Sequence, residues 1–132
     1  MKPFFSEAYD FSPRADFNPV TGIFELSGVS RPENVSALYN ELNNWLREFE
    51  RQCLSSGTWK KGSVVFNFRL TYLNSASSKY VLQMLELART WSRYGVKLQV
   101  NWYYDASDDE MQEDGQDIAD ALEYEFTFLP LN

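Results

Sequence analysis

The run Leu73-Asn74-Ser75-Ala76-Ser77-Ser78-Lys79 places three hydroxyls within four positions of this 132-residue chain. An alternating apolar run precedes it and a helical apolar stripe follows it, so the junction is polar and expected at the surface. A hydroxyl here has two uses. As a helix N-cap, Ser75 or Ser77 would accept a free N–H of the first turn. As a phosphorylation site, one of the serines would carry about −1.5 to −2 charge at neutral pH, beside the backbone donors and partial positive charge of a helix N-terminus. The two uses are compatible. Lys79, one turn on, is placed either to pair with such a phosphate or to face solvent.

A second group is the acidic run Asp105-Ala106-Ser107-Asp108-Asp109-Glu110-Met111-Gln112-Glu113-Asp114-Gly115-Gln116-Asp117. Its spacing does not suit an EF-hand: with Asp105 first, Glu110 falls where the loop needs glycine and Gln116 where it needs a bidentate glutamate. Acids at a helix start oppose the dipole favourably, and so many without a base also suit contact with a basic partner. A metal held by Asp105, Asp108 and Asp109 would instead define a small metal-dependent enzyme, the rival reading. Just upstream, Trp102 and Tyr104 share one strand face and Tyr103 takes the other. Core packing suits Trp102, and Tyr103 or Tyr104 is left as a partner anchor.

Composition excludes several alternatives. With no histidine, Ser-His and Cys-His pairs and the commonest general base are gone. The single Cys53 lies on an apolar helical stripe and reads as a small core side chain. A net charge of −7 without a Lys/Arg run argues against nucleic acid. The charge is uneven: residues 1–97 hold all 12 basic and 9 of the 19 acidic residues, so the acidity belongs to the last quarter. No stretch approaches the roughly 18 apolar residues of a membrane span, and Met1-Lys2-Pro3-Phe4-Phe5-Ser6-Glu7 has no signal-like apolar core, so a cytoplasmic protein is expected.

The elements that must position these groups follow from periodicity. Arg14–Leu26 reads as a β-hairpin around an Asn-Pro-Val-Thr-Gly turn. Ser30-Arg31-Pro32-Glu33 has capping-box spacing, and Val35, Leu38, Tyr39, Leu42, Trp45, Leu46, Phe49 and Cys53 then mark one helix face. From Ser63 to Leu73 the residues alternate, with Val64, Phe66, Phe68, Leu70 and Tyr72 on one face and Val65, Asn67, Arg69, Thr71 and Leu73 on the other. A helix with Val81, Met84, Leu85, Ala88 and Trp91, a strand over 96–104, a helix with Met111, Ile118, Ala119 and Leu122, and a strand over Tyr124–Leu129 complete the chain. The order β-β-α-β-α-β-α-β predicts one α/β domain over 1–132, a mixed sheet packed with about three helices.

Three motifs in order carry a resemblance: Leu26-Ser27-Gly28-Val29-Ser30-Arg31-Pro32-Glu33-Asn34-Val35, then Leu70-Thr71-Tyr72-Leu73-Asn74-Ser75-Ala76-Ser77-Ser78-Lys79, then Trp102-Tyr103-Tyr104-Asp105 with Asp108-Asp109-Glu110 and Glu113-Asp114-Gly115. Over about residues 20 to 128 the chain resembles the SiaC family of bacterial regulatory phosphoproteins, whose fold is similar to STAS-type anti-sigma-factor antagonists. The resemblance implies a non-enzymatic partner-switching protein without a cofactor. A Ser/Thr protein kinase would phosphorylate it and a PP2C-type phosphatase would reverse this. The unmodified form would bind and activate a diguanylate cyclase, in cyclic-di-GMP control of biofilm or aggregation. The family's phosphorylated threonine corresponds to Ser75, with Ser77 and Ser78 as fallbacks; serine keeps the hydroxyl and loses the methyl group. The implied docking surface comprises Asn74, Ser75, Ala76, Ser77, Ser78 and Lys79, with Arg31, Glu33 and Asn34 of the preceding loop and Tyr103 and Tyr104. A scaffold that binds a partner constitutively is the remaining alternative.

Overall fold

Alternation of buried and solvent-facing residues organises the chain into one sheet, seen in a computed structural model that describes residues 1–131. Its strands are β1 (Phe4–Ser6), β2 (Arg14–Asn18), β3 (Ile23–Ser30), β4 (Ser63–Leu73), β5 (Lys97–Asp105) and β6 (Thr127–Leu131). The helices are α1 (Val35–Phe49), α2 (Ser75–Arg89) and α3 (Asp109–Leu122), with a π-helical turn at Glu50–Leu54 and a 3-10 turn at Thr90–Tyr94. The strands lie side by side in chain order, antiparallel from β1 to β3 and parallel from β3 to β6. Parallel neighbours need a crossover, and each of the three helices supplies one. Because every crossover steps the same way across the sheet, all three helices cover the same face.

That face holds the core. Phe17, Phe24, Phe66 and Phe68 from the strands meet Phe49 of α1 and Trp91 after α2, all essentially inaccessible. Their rings pack edge-on or tilted, as between Phe24 and Phe49 (5.2 Å) and between Phe49 and Trp91 (5.5 Å). The opposite face of the sheet is polar and laced together: Asn101 Nδ2 donates to Asn67 Oδ1 (2.9 Å), and Arg69 pairs with Glu25 (2.8 Å) while lying over the Tyr103 ring.

The mixed sheet with three helices agrees with the expected fold class, and four details differ. The short edge strand β1 was not foreseen, since three residues carry no readable period. The capping box at Ser30 does not form: Ser30 ends β3 as a buried residue, and Asn34 caps α1 by accepting from Ala37 N (3.3 Å). The last strand starts at Thr127 rather than Tyr124, because Tyr124 is held by a hydrogen bond from its hydroxyl to the Leu98 carbonyl. Finally, the strict alternation of β4 breaks. Gly28 pairs with Leu70 but Val29 pairs with Tyr72, so Thr71 is an extra residue in the ladder, a β-bulge. Beyond it the faces exchange: Leu73 is buried and Tyr72 is 45% exposed.

Candidate functional site

The parallel strands β3, β4 and β5 end at one edge of the sheet, and the loops leading into α1, α2 and α3 gather there. Ser75 sits in the middle of this edge. Asn74, not Ser75 or Ser77, is the N-cap of α2: its Oδ1 accepts from Ser77 N (2.8 Å). Ser75 is therefore the first helical residue, exposed, with its own N–H and that of Ala76 left to solvent or an anion.

Ser77 behaves differently. It is fully buried, and its Oγ donates to the Ser30 carbonyl (3.1 Å) while accepting from Ser30 Oγ (2.9 Å). Ser30 Oγ also lies 2.7 Å from the Tyr39 hydroxyl, which must be the donor because the serine proton is already committed. Burial pushes the Tyr39 phenol up to about 12, more than its serine partners lower it, so it stays protonated as that donor. This network anchors the first turn of α2 to the end of β3. It also takes the fallback site Ser77 out of reach of any enzyme acting on the folded chain. Ser78 is half-buried and remains on the groove.

An open groove of about 570 Å³ runs beside Ser75. One wall is α2, through Ser75, Ser78, Lys79 and Leu82; the floor begins at Tyr72 and Leu73. The other wall is α3, through Glu110, Asp114, Asp117, Ile118 and Ala121. The acidic run and the serine junction, 30 residues apart in the chain, thus face each other. The Asp114 carboxyl is raised, first by partial burial and then by Glu110, Asp117, Asp108 and Glu113 around it.

Two of the three carboxylates of the rival metal site, Asp105 and Asp108, are otherwise engaged. Asp105 Oδ1 accepts from the backbone N–H (2.9 Å) and hydroxyl (2.6 Å) of Ser107, which lowers its affinity for a proton. Asp108 caps α3 by accepting from Met111 N (3.0 Å). Among the described residues, no three His, Cys, Asp or Glu side chains are arranged to hold a metal ion.

The sequence matches the family described as SiaC family regulatory phosphoprotein over residues 6–131. The chain belongs to the SiaC family. An uncharacterized protein of Pseudomonas aeruginosa (strain UCBPP-PA14) is 25% identical over 105 residues, covering 80% of this chain and 78% of that one. Apo-SiaC from Pseudomonas aeruginosa has a similar crystal structure, with a TM-score of 0.82 at 20% identity, covering 98% of this chain and 99% of that chain. The structure of the diguanylate cyclase SiaD in complex with its activator SiaC, also from Pseudomonas aeruginosa, matches with a TM-score of 0.81 at 20% identity, covering 97% of this chain and 99% of that chain. The fold is shared with SiaC, and the family is described as one of regulatory phosphoproteins.

Other SiaC-motif residues divide by position. Glu33 and Asn34 are exposed on the loop after β3. Arg31 beside them lies over Phe11 (4.6 Å) and Tyr72 (5.8 Å), next to the groove that Tyr72 lines. Tyr103 is on the polar sheet face against Arg69, and Tyr104 packs partly against the core; neither lines the groove. Cys53 is half-buried, and burial raises its thiol. Among the described residues, no helix is long and apolar enough to cross a membrane.

Two exposed aromatic residues at the Arg31 stack, of which Tyr72 also lines the groove, escaped the sequence reading. Alternation puts Tyr72 on the face of Val64, Phe66, Phe68 and Leu70, because it cannot announce a bulge. Phe11 reaches the Arg31 stack from a tight turn in which Asp10 and Phe11 have φ of 44° and 65°, leaving the Phe11 ring 59% exposed. Only the Asp10-Phe11 pair between Tyr9 and Ser12 hinted at such a turn, since aspartate tolerates the left-handed region and phenylalanine does not favour it.

Proposed function

We propose that this chain is a cytoplasmic partner-switching phosphoprotein that acts through Ser75. A Ser/Thr kinase phosphorylates Ser75, a PP2C-type phosphatase removes the phosphate, and the unmodified protein binds and activates a diguanylate cyclase. The observation that carries this reading is the position of Ser75: among the described residues, the one exposed serine of the family motifs, first residue of α2, at the rim of a groove. The family assignment and the activator role of SiaC in the Pseudomonas aeruginosa SiaD complex support it. A phosphate there adds bulk and charge at the groove without entering the core, so it changes an interface rather than unfolding the chain.

The test compares Ser75→Ala with Ser75→Asp. Both are assayed for binding to, and stimulation of, the diguanylate cyclase of the same host. The alanine variant is expected to bind and activate, and the aspartate variant to lose most of both. Equal behaviour of the two folded variants would sink the switch. Intact-mass analysis of the protein from its own host checks the modification separately, as a gain of about 80 Da that Ser75→Ala abolishes. A constitutive scaffold would never show it.

A further inference from the structure

The two walls of the groove have opposite electrostatic preferences, which bears on how a modified Ser75 would act; the inference rests on the reading of Ser75 as the switch residue. On the α2 side, the helix terminus is equivalent to about half an elementary charge and is felt only within the first turn. Among the described residues, Lys79 is the one cationic side chain that lines the groove. On the α3 side, Glu110, Asp114 and Asp117 project from one helix face into the same space. Among the described residues, no acidic group from Asp105 to Glu125 takes part in an ion pair; every pair lies between Glu7 and Arg93. The Asp114 carboxyl is raised first by its partial burial and then by the neighbouring carboxylates Glu110, Asp117, Asp108 and Glu113.

Across the groove itself, no side-chain hydrogen bond or ion pair among the described residues joins the first turns of α2 to α3. The hydrogen bonds that tie α3 down lie elsewhere: Trp102 Nε1 donates to the Met111 carbonyl (2.9 Å) and Arg89 donates to the Leu122 carbonyl. A phosphate of about −1.5 to −2 charge on Ser75 therefore meets three carboxylates against one lysine and a helix end. We propose that a phosphate on Ser75 is read by α3: repulsion from Glu110, Asp114 and Asp117 loosens this helix from α2 and widens the groove. The partner surface is then altered by displacement of its wall as well as by occupation of its rim.

To test this, phosphoserine is installed at position 75 during translation of the full chain. Hydrogen exchange over residues 109–122 is compared with and without the phosphate, in the natural sequence and in a Glu110→Gln/Asp114→Asn/Asp117→Asn background. The expected result is exchange in α3 faster by roughly tenfold on phosphorylation, unchanged exchange in α1, and no acceleration in the neutralised background. The acceleration should also shrink at about 1 M salt. Unchanged or slower exchange in the natural sequence would show that the α2 terminus and Lys79 dominate, and would overturn the proposal. An equal acceleration in the neutralised background would overturn it too, because the acids would not be its cause. Should the triple variant fold poorly, Asp114→Asn alone is expected to reduce the acceleration severalfold. Since the phosphate is installed rather than added by a kinase, failure here is separate from failure of Ser75 as the natural acceptor, which mass analysis decides.

Discussion

Ser77 Oγ donates to the Ser30 carbonyl at 3.1 Å and accepts from the Ser30 hydroxyl at 2.9 Å, so the first turn of α2 is bonded to the end of β3 across 47 residues of chain. Ser77→Ala leaves the buried Ser30 hydroxyl with one partner fewer and is expected to lower stability by about 1–3 kcal/mol. In denaturant melts this appears as a lower midpoint with an unchanged slope. If Ser75 is the acceptor, the same variant should still take one phosphate from the kinase, whereas Ser75→Ala should take none. Loss of phosphate from Ser77→Ala in a folded protein would move the acceptor.

Gly115 is small because Trp102 lies against it. A Cβ at that position would stand 2.5 Å from Trp102 Nε1 and 2.6 Å from Cδ1, and the indole is fully buried and bonded to Met111. Alanine would gain about 1 kcal/mol of helix propensity, but the clash with an immobile ring is larger. Gly115→Ala is expected to destabilise by about 2–4 kcal/mol and to shift the tryptophan near-UV dichroism. An unchanged melting temperature would contradict this packing.

Glu50 joins the ends of two helical segments. Its carboxylate accepts from Trp91 Nε1 (2.8 Å) and the Tyr94 hydroxyl (2.8 Å) and pairs with Arg93. Burial raises this carboxyl, but the hydrogen bonds from Tyr94, Trp91 and Arg93 outweigh it, and the net affinity for a proton is lowered. A group depressed in the folded state contributes stability above its unfolded pKa, and that stability is lost as pH falls through the folded pKa. Glu50→Ala should cost about 2–4 kcal/mol at neutral pH, since it strands the buried indole N–H, and the variant should lose less further stability on acidification than the natural protein. Parallel pH–stability curves for the two would refute the role.

Asp114 has the opposite sign. Its carboxyl is raised, so the folded state holds its proton more tightly than the unfolded chain, and stability falls as pH rises from the ordinary aspartate value of 3.8 to the raised one. Above that window the penalty is constant. Asp114→Asn removes it and is expected to raise the melting temperature by about 2 °C at pH 7, with no gain below the ordinary aspartate range. A lower melting temperature at pH 7 would show that the carboxylate makes a favourable contact.

Much of the architecture was legible because it rests on short-range rules. The alternation of Val64, Phe66, Phe68 and Leu70, the stripe Val81, Met84, Leu85, Ala88 and the left-handed Gly95 at the following turn express a period and a cap that one stretch of chain carries by itself. Helix starts were less legible, since several polar residues compete for each cap. At 30–34 and 74–77 an asparagine prevailed over the neighbouring serines, because Ser30 and Ser77 were drawn into each other's hydrogen bonds.

From the sequence alone came the mixed α/β fold, the serine junction before α2, the acidic last quarter and the three motifs that mark the family, all properties of residue type and local spacing. The tertiary structure decided which serine is exposed, that the bulge at Thr71 turns Tyr72 toward solvent, and that Glu110, Asp114 and Asp117 stand opposite Ser75. Those relations depend on the packing of α2 beside α3 over one sheet face and on a single extra residue in β4. No local period records either, because both are set by contacts between segments far apart in the chain.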